Sequence, residues 1–195
     1  MSQKRDEFVT RLRPVGAALV ILARRLVAER CDAEDVLQAA LGAAWGRYAA
    51  GEDVDNFRAW ISQFVVLEAR NHARRRSRRQ RCQTDLADDI AERETPSGIA
   101  GLLEAEIAYE SCRTTPQALA EMLEDELVSA LDSLSEEERA AFLLKALFEL
   151  RCSEIAEQAQ VPEGTIMARI HRAREKLRLR LMADRTRDSR SGELP

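Results

Sequence analysis

Residues 153–177 read SEIAEQAQVPEGTIMARIHRAREKL, and their apolar spacing predicts two helices that meet at a tight turn. Ile155 and Ala156 fall on the first helix, Ser153 to Ala159, while Ile166 and Ile170 fall on the second, Glu163 to about Leu181, with Gln160-Val161-Pro162 between them. Ala156 is small where two helices must cross closely, and Val161 can plug the corner. This is the pattern of a helix-turn-helix, whose second helix enters a DNA major groove by its N-terminal part. Glu163, Thr165, Arg169 and Arg172 are expected on surfaces away from Ile166 and Ile170, with the arginines meeting phosphate or base edges. An ordinary helical hairpin with a solvated Arg-Glu-Lys face is the plainer reading of the same residues. Gln160 stands where such turns often use glycine, because a left-handed residue is needed there.

Working back from this pair, Ser135-Glu136-Glu137-Glu138 has the spacing of a capping box and predicts a helix carrying Ala141, Phe142, Leu144 and Leu147. Thr115-Pro116 predicts a helix start, with proline at the first helical position, leading into Leu119, Leu123, Leu127, Ala130, Leu131 and Leu134. From Cys82 to Thr115 the periodicity weakens and Thr95-Pro96-Ser97-Gly98 breaks the chain, so this stretch reads as an acidic linker with one short helix, Ile99 to Tyr109.

The first part of the chain is helical by the same criteria. Val9, Leu12, Val15, Ala18, Leu19, Leu22 and Leu26 mark one buried face of a helix from Asp6 to Glu29, interrupted only by Pro14. Asp32 is expected to N-cap a second helix, Ala33 to Tyr48, with Glu34 and Asp35 in the first turn where the helix dipole favours acids. After a loop from Ala49 to Asp55, the run Asn56 to Arg81 contains neither Gly nor Pro and predicts a third helix, apolar at first and Arg-rich later. No stretch reads as a β-strand, and helix formers dominate, so the expected class is all-α: two small helical domains joined by an acidic linker. The boundaries drawn are 1–82, 83–115 for the linker, 116–182, and a polar tail 183–195.

Charge is segregated along the 195 residues in a way that the net −4 conceals. Residues 1–82 carry 16 Lys/Arg against 10 Asp/Glu, 83–126 carry two against 12, 127–163 carry three against eight, and 164–195 carry nine against four. Two basic blocks therefore flank an acidic middle, and nucleic-acid binding follows such local fields rather than the chain total. Arg70, Arg74, Arg75, Arg76, Arg78, Arg79 and Arg81 are seven arginines in twelve residues, and five of the nine aromatic residues (Trp45, Tyr48, Phe57, Trp60, Phe64) lie just before them. Single-stranded nucleic acid is held by such a combination of cations and base-stacking surfaces. Trp45, Phe57, Trp60 and Phe64 are also the natural core of a small helical domain.

Other classes find little support. No apolar stretch approaches a membrane span, the N-terminus lacks the apolar segment of a signal peptide, and the chain is expected to stay in the cytoplasm. Cys31, Cys82, Cys112 and Cys152 are too scattered for a metal site or disulfide framework, so neither metal nor cofactor is expected. No Ser/His/Asp, Cys/His or paired-carboxylate arrangement stands out, so neither an enzyme nor a small-molecule substrate is expected, and His171 reads as a surface or DNA-facing residue.

Both halves together resemble a known family. Asp32-Ala33-Glu34-Asp35-Val36-Leu37-Gln38, Asn56-Phe57-Arg58-Ala59-Trp60 and the Arg run resemble region 2 of the extracytoplasmic-function (group IV) sigma factors of the sigma-70 family. Ala130 to Ser135, Arg139, Glu154-Ile155-Ala156-Glu157, Val161 to Ile166 and Arg169 to Leu177 resemble their region 4. The resemblance covers about 1–82 and 116–182, with nothing between that resembles a third region. It implies a dissociable subunit that recruits core RNA polymerase to promoter DNA, often held in check by an anti-sigma factor. Asp32, Glu34, Asp35 and Gln38 would then dock on the polymerase. Asn56, Arg58, Trp60, Leu67, Asn71, Arg74, Arg75 and Arg78 would open and hold the −10 element. Glu163, Thr165, Arg169, Arg172, Arg174 and Lys176 would read or grip the −35 duplex.

The chain departs from that family where specificity is set. Leu67 stands where many relatives have Asn, seven residues after the tryptophan, and could instead face the core; Asn71 replaces a familiar Asp; Met167 and Ala168 stand where Lys and Ser are common. Promoter sequence therefore does not transfer. The acidic linker suggests either a segment that covers the basic patches in the free protein or one kept acidic for passage through a basic polymerase channel. The main rival reading is a stand-alone helix-turn-helix repressor, for which no sensor domain is evident; an adaptor of two helical domains is the other.

Overall fold

The computed structural model describes residues 2–27, 30–82 and 125–191, and every element among them is an α-helix. The chain divides into two compact units, 1–116 and 117–195. The linker residues, the Ile99 to Tyr109 helix and the Thr115-Pro116 start fall outside the described residues.

Unit one contains α1 (Ser2–Leu12), α2 (Gly16–Leu26), α3 (Arg30–Ala49) and α4 (Phe57–Cys82). The single helix expected over Asp6 to Glu29 is in fact two. Pro14 has no N–H to donate and its ring collides with the preceding turn, so the chain turns at 13–15 and Val15 leads into α2. Of the predicted face, Leu12, Val15, Leu19 and Leu22 are buried while Val9, Ala18 and Leu26 are half-buried, and Phe8, outside that expectation, is buried with them. Against them α3 sets Val36, Leu37, Leu41 and Trp45, and α4 sets Phe57, Ile61 and Val65.

Phe8 is the hub of this core, with ring centroids 5.4 Å from Trp45, 5.2 Å from Tyr48 and 5.7 Å from Phe57. The chain of rings continues from Phe57 to Trp60 at 5.8 Å and from Trp60 to Phe64 at 4.8 Å. Most of the aromatic cluster is thus core, and edge-to-face pairs of this kind add to simple area burial.

Unit two contains α5 (Asp125–Asp132), α6 (Glu136–Phe148), α7 (Cys152–Ala159) and α8 (Glu163–Ser191). The capping box forms as predicted: Ser135 Oγ accepts from the Glu138 amide and Glu138 Oε2 accepts from the Ser135 amide, both at 3.3 Å. Between α7 and α8 the turn places Gln160 at φ 53°, ψ 45°, the left-handed conformation that glycine adopts without strain. The geometric demand is met by a side-chain-bearing residue. Ile155 and Ala156 of α7 and Ile166, Ile170, Ala173 and Leu177 of α8 are all buried. α8 continues ten residues beyond the expected end near Leu181, to Ser191.

Candidate nucleic-acid interface

The arginine run of α4 lies on two sides of one helix. Packing of Ile61, Val65 and Ala69 into the core fixes the rotation of the helix. Residues at intervals of seven and four then align on the outer side: half-buried Trp60, Leu67, and exposed Arg74 and Arg78, with half-buried Arg70 and Asn71 beside them. Leu67 is 56% exposed, which corrects the expectation that it could face the core. Arg58, in the first turn of α4, is exposed.

The other side of α4 turns toward α3. Glu68, His72, Arg75, Arg76 and Arg79 line an open groove of about 530 Å³ together with Asp32, Asp35, Val36 and Ala39. Asp32 is not the N-cap of α3 but sits in its first turn, and its Oδ2 accepts from Arg76 Nη1 at 3.2 Å with His72 Nε2 at 3.7 Å. Arg75 Nη1 lies 3.6 Å from Glu68 Oε1. Carboxylates of this unit therefore engage Arg75 and Arg76, whereas Arg74 and Arg78 point away from the groove. Glu34, Asp35 and Gln38 are exposed on α3, opposite its buried Ala33, Val36, Leu37 and Ala40.

The loop between α3 and α4 is held from several directions, by residues the sequence reading did not single out. Lys4 Nζ donates to Ala49 O at 3.1 Å, and Arg11 Nη2 donates to Val54 O at 2.8 Å while its guanidinium lies 5.0 Å over the Phe57 ring. Glu52 Oε1 accepts from Arg47 Nη2 at 2.8 Å and from the Trp60 indole Nε1 at 3.0 Å. Gly51, at φ 96°, makes the turn that brings Glu52 back toward Trp60. Asn56, expected inside the helix, is instead its cap: Asn56 Oδ1 accepts from the Ala59 amide at 3.2 Å. An Asn followed by a long helical run was a legible capping signal; the partners of Lys4, Arg11 and Glu52 were not, because 43 to 45 residues separate the two α1 cations from the carbonyls they bind.

In unit two, the rotation of α8 is set by Ile166, Ile170, Ala173 and Leu177. Glu163, Gly164, Met167 and His171 are exposed on its first turns, while Thr165, Ala168 and Arg169 are half-buried. Arg172, Arg174, Lys176 and Arg178 are exposed. Two of these cations already have an anionic partner: Glu138 Oε1 accepts from Arg172 Nε at 3.1 Å and Oε2 accepts from Lys176 Nζ at 2.7 Å. Glu138 itself is only 5% exposed. The Lys176 hydrogen bond, opposed by burial and helped by the Ser135 amide and Arg172, holds its carboxyl below the usual carboxylate range. Sequence reading found the capping role of Glu138 and missed this second one.

Comparison with known proteins agrees with this division. Residues 13–79 match the family described as Sigma-70 region 2, and residues 124–177 match Sigma-70, region 4. The chain is 28% identical over 157 residues to the RNA polymerase sigma-H factor of Pseudomonas aeruginosa, covering 78% of this chain and 75% of that one. It is 27% identical over 187 residues to the RNA polymerase sigma-E factor of Streptomyces coelicolor, covering 96% and 92%. In fold it is similar to the sigma factor RpoE of Bartonella quintana, solved with the anti-sigma factor NepR, at a TM-score of 0.65 and 24% identity over 91% of this chain and 98% of that one. With region 2 on the first unit and region 4 on the second, the chain belongs to the sigma-70 family, in its extracytoplasmic-function group.

Proposed function

We infer that this protein is a sigma factor: it binds core RNA polymerase and directs promoter-specific initiation by recognising −10 and −35 elements. The observation that carries the inference is the succession of a region 2 unit and a region 4 unit in one chain. A stand-alone helix-turn-helix repressor would account for the second unit only.

Residue roles follow from the chemistry each surface offers. Glu34, Asp35 and Gln38, exposed on α3, give carboxylate and amide partners for polymerase, and Asp32 holds α3 against α4 beside them. Trp60, Leu67, Asn71, Arg74 and Arg78 form the surface for opened −10 DNA, with Asn56 and Arg58 at its entrance. Arg75 joins the groove side and contributes less to DNA than its neighbours. On α8, Glu163, Thr165 and Arg169 stand near the groove-entering turns and Arg174 serves phosphate, while Arg172 and Lys176 are held by Glu138. We assign 1–82 and 116–182 as the two functional domains, 83–115 as linker and 183–195 as tail. The role is regulatory rather than catalytic and belongs to the cytoplasm, where polymerase and chromosome are; no helix among the described residues is long and apolar enough to cross a membrane. An anti-sigma factor is the expected inhibitory partner.

Reconstitution tests the inference. Purified protein mixed with core RNA polymerase from the source organism should co-elute as a complex and initiate at sites downstream of a shared two-part motif. Failure to associate with active core, together with tight binding of the free protein to duplex DNA, would overturn it in favour of the repressor.

A further inference from the structure

The face of α8 that points away from its buried seam is apolar where a duplex-reading helix enters the groove. Ile166, Ile170, Ala173 and Leu177 define the buried side, which leaves Gly164, Met167, Ala168 and His171 on the opposite side over the first two turns. Met167 is 56% exposed. A Cβ at Gly164 would meet nothing within 4 Å, so the helix backbone there is bare and open to close approach. Over these first turns no cation fills that face: Arg172 and Lys176 are drawn onto Glu138, and Arg169 is half-buried at its edge.

An isolated apolar side chain at the tip of such a helix has one match on the major-groove edge of DNA. The C5-methyl of thymine is the only apolar group displayed there, whereas guanine and adenine edges call for paired donors and acceptors that methionine lacks. The exposed Arg174 and Arg178 on the following turns favour a polyanion over an apolar protein surface as occupant of this face. We propose that Met167, with Ala168 and the bare backbone at Gly164, is a specificity-determining contact that selects thymine in the −35 duplex through its methyl group. The proposal rests on the reading of the chain as a sigma factor.

The test uses holoenzyme reconstituted from full-length chain and core polymerase. A −35 element is first enriched from a randomised promoter library, and each thymine on either strand is then replaced singly by uracil, which lacks only the methyl. At one or two positions uracil should weaken binding by wild-type holoenzyme about fourfold, the equivalent of about 0.8 kcal/mol for one buried methyl-sized group. Met167→Ala, at an exposed position, should assemble with core normally and lose that discrimination, while Met167→Leu should keep it. Equal binding of uracil and thymine at every −35 position, an enriched element without A·T pairs, or full discrimination by Met167→Ala would each overturn this proposal alone. Absence of any holoenzyme would overturn the sigma-factor reading and this proposal together.

Discussion

Both units carry a basic helix, but they prepare it for DNA by opposite means. In unit one, cations from α1 and α3 reach the loop ahead of α4: Lys4 and Arg11 bind the carbonyls of Ala49 and Val54, and Arg47 grips Glu52, which in turn holds the Trp60 indole. Positive charge is spent on fixing backbone. In unit two a single buried acid, Glu138, reaches across from α6 and fixes the cations of α8. A cation count along either helix therefore overstates what is offered to nucleic acid, because part of it is committed to internal carboxylates. The arginines between 70 and 79 separate into an outer set near Leu67, Arg70, Arg74 and Arg78, and a groove set near Asp32, Arg75, Arg76 and Arg79.

The largest expected effect tests the aromatic hub that only unit one possesses. Phe8→Ala should destabilise unit one by about 4 kcal/mol, the usual cost of emptying a buried phenylalanine site. Both tryptophans, Trp45 and Trp60, lie in this unit, so urea unfolding followed by tryptophan fluorescence should shift to lower denaturant. An unchanged midpoint would show that Phe8 is not the hub.

A smaller effect tests the buried acid of unit two. Glu138→Gln should cost about 2 kcal/mol at neutral pH, since Arg172 and Lys176 lose a charged partner and the cap weakens. Circular dichroism should report this loss while tryptophan fluorescence does not. Because the folded carboxyl titrates below its ordinary value of 4.5, its contribution is present above that pH and is lost as pH falls through the lowered folded value. Wild type and Glu138→Gln should therefore converge in stability on acidification, and a constant difference down to acid pH would refute the ion-pair account.

The split of the arginine run is sharpened by a pair of variants. Arg74→Ala should reduce the salt slope of holoenzyme binding to promoter DNA by about 0.7 to 0.9, one phosphate contact's worth. Arg76→Ala, which loses a partner of Asp32 instead, should leave the slope unchanged and weaken α3–α4 packing. Equal slopes for the two variants would erase the distinction between the faces. The smallest effect is at the turn: Gln160→Gly should stabilise unit two by about 0.5 kcal/mol, since relief of left-handed strain slightly outweighs the backbone entropy of glycine. Destabilisation on thermal unfolding would mean that the Gln160 side chain contributes contacts of its own.

Much of the fold was legible because its rules act within a few residues. The capping box at Ser135, the corner at Gln160-Val161-Pro162 and the buried face of α8 follow from local hydrogen bonds and helical periodicity. Three local signals were misjudged: Pro14 ends a helix rather than interrupting it, Asp32 lies within α3 rather than capping it, and Asn56 caps α4 rather than belonging to it. The resemblance to regions 2 and 4 was likewise carried by short strings of residues, and both regions matched.

What the sequence determined by itself was the all-α class, the helix-turn-helix and the two basic blocks. Only the tertiary structure decided which arginines face outward, that Leu67 is exposed, that Asp32 meets Arg76 across 44 residues, and that Glu138 meets Arg172 across 34 and Lys176 across 38. Helical periodicity says which side chains share a face, but the direction in which that face points is fixed by what the helix packs against. Charge partners separated by dozens of residues exist only once that packing has formed.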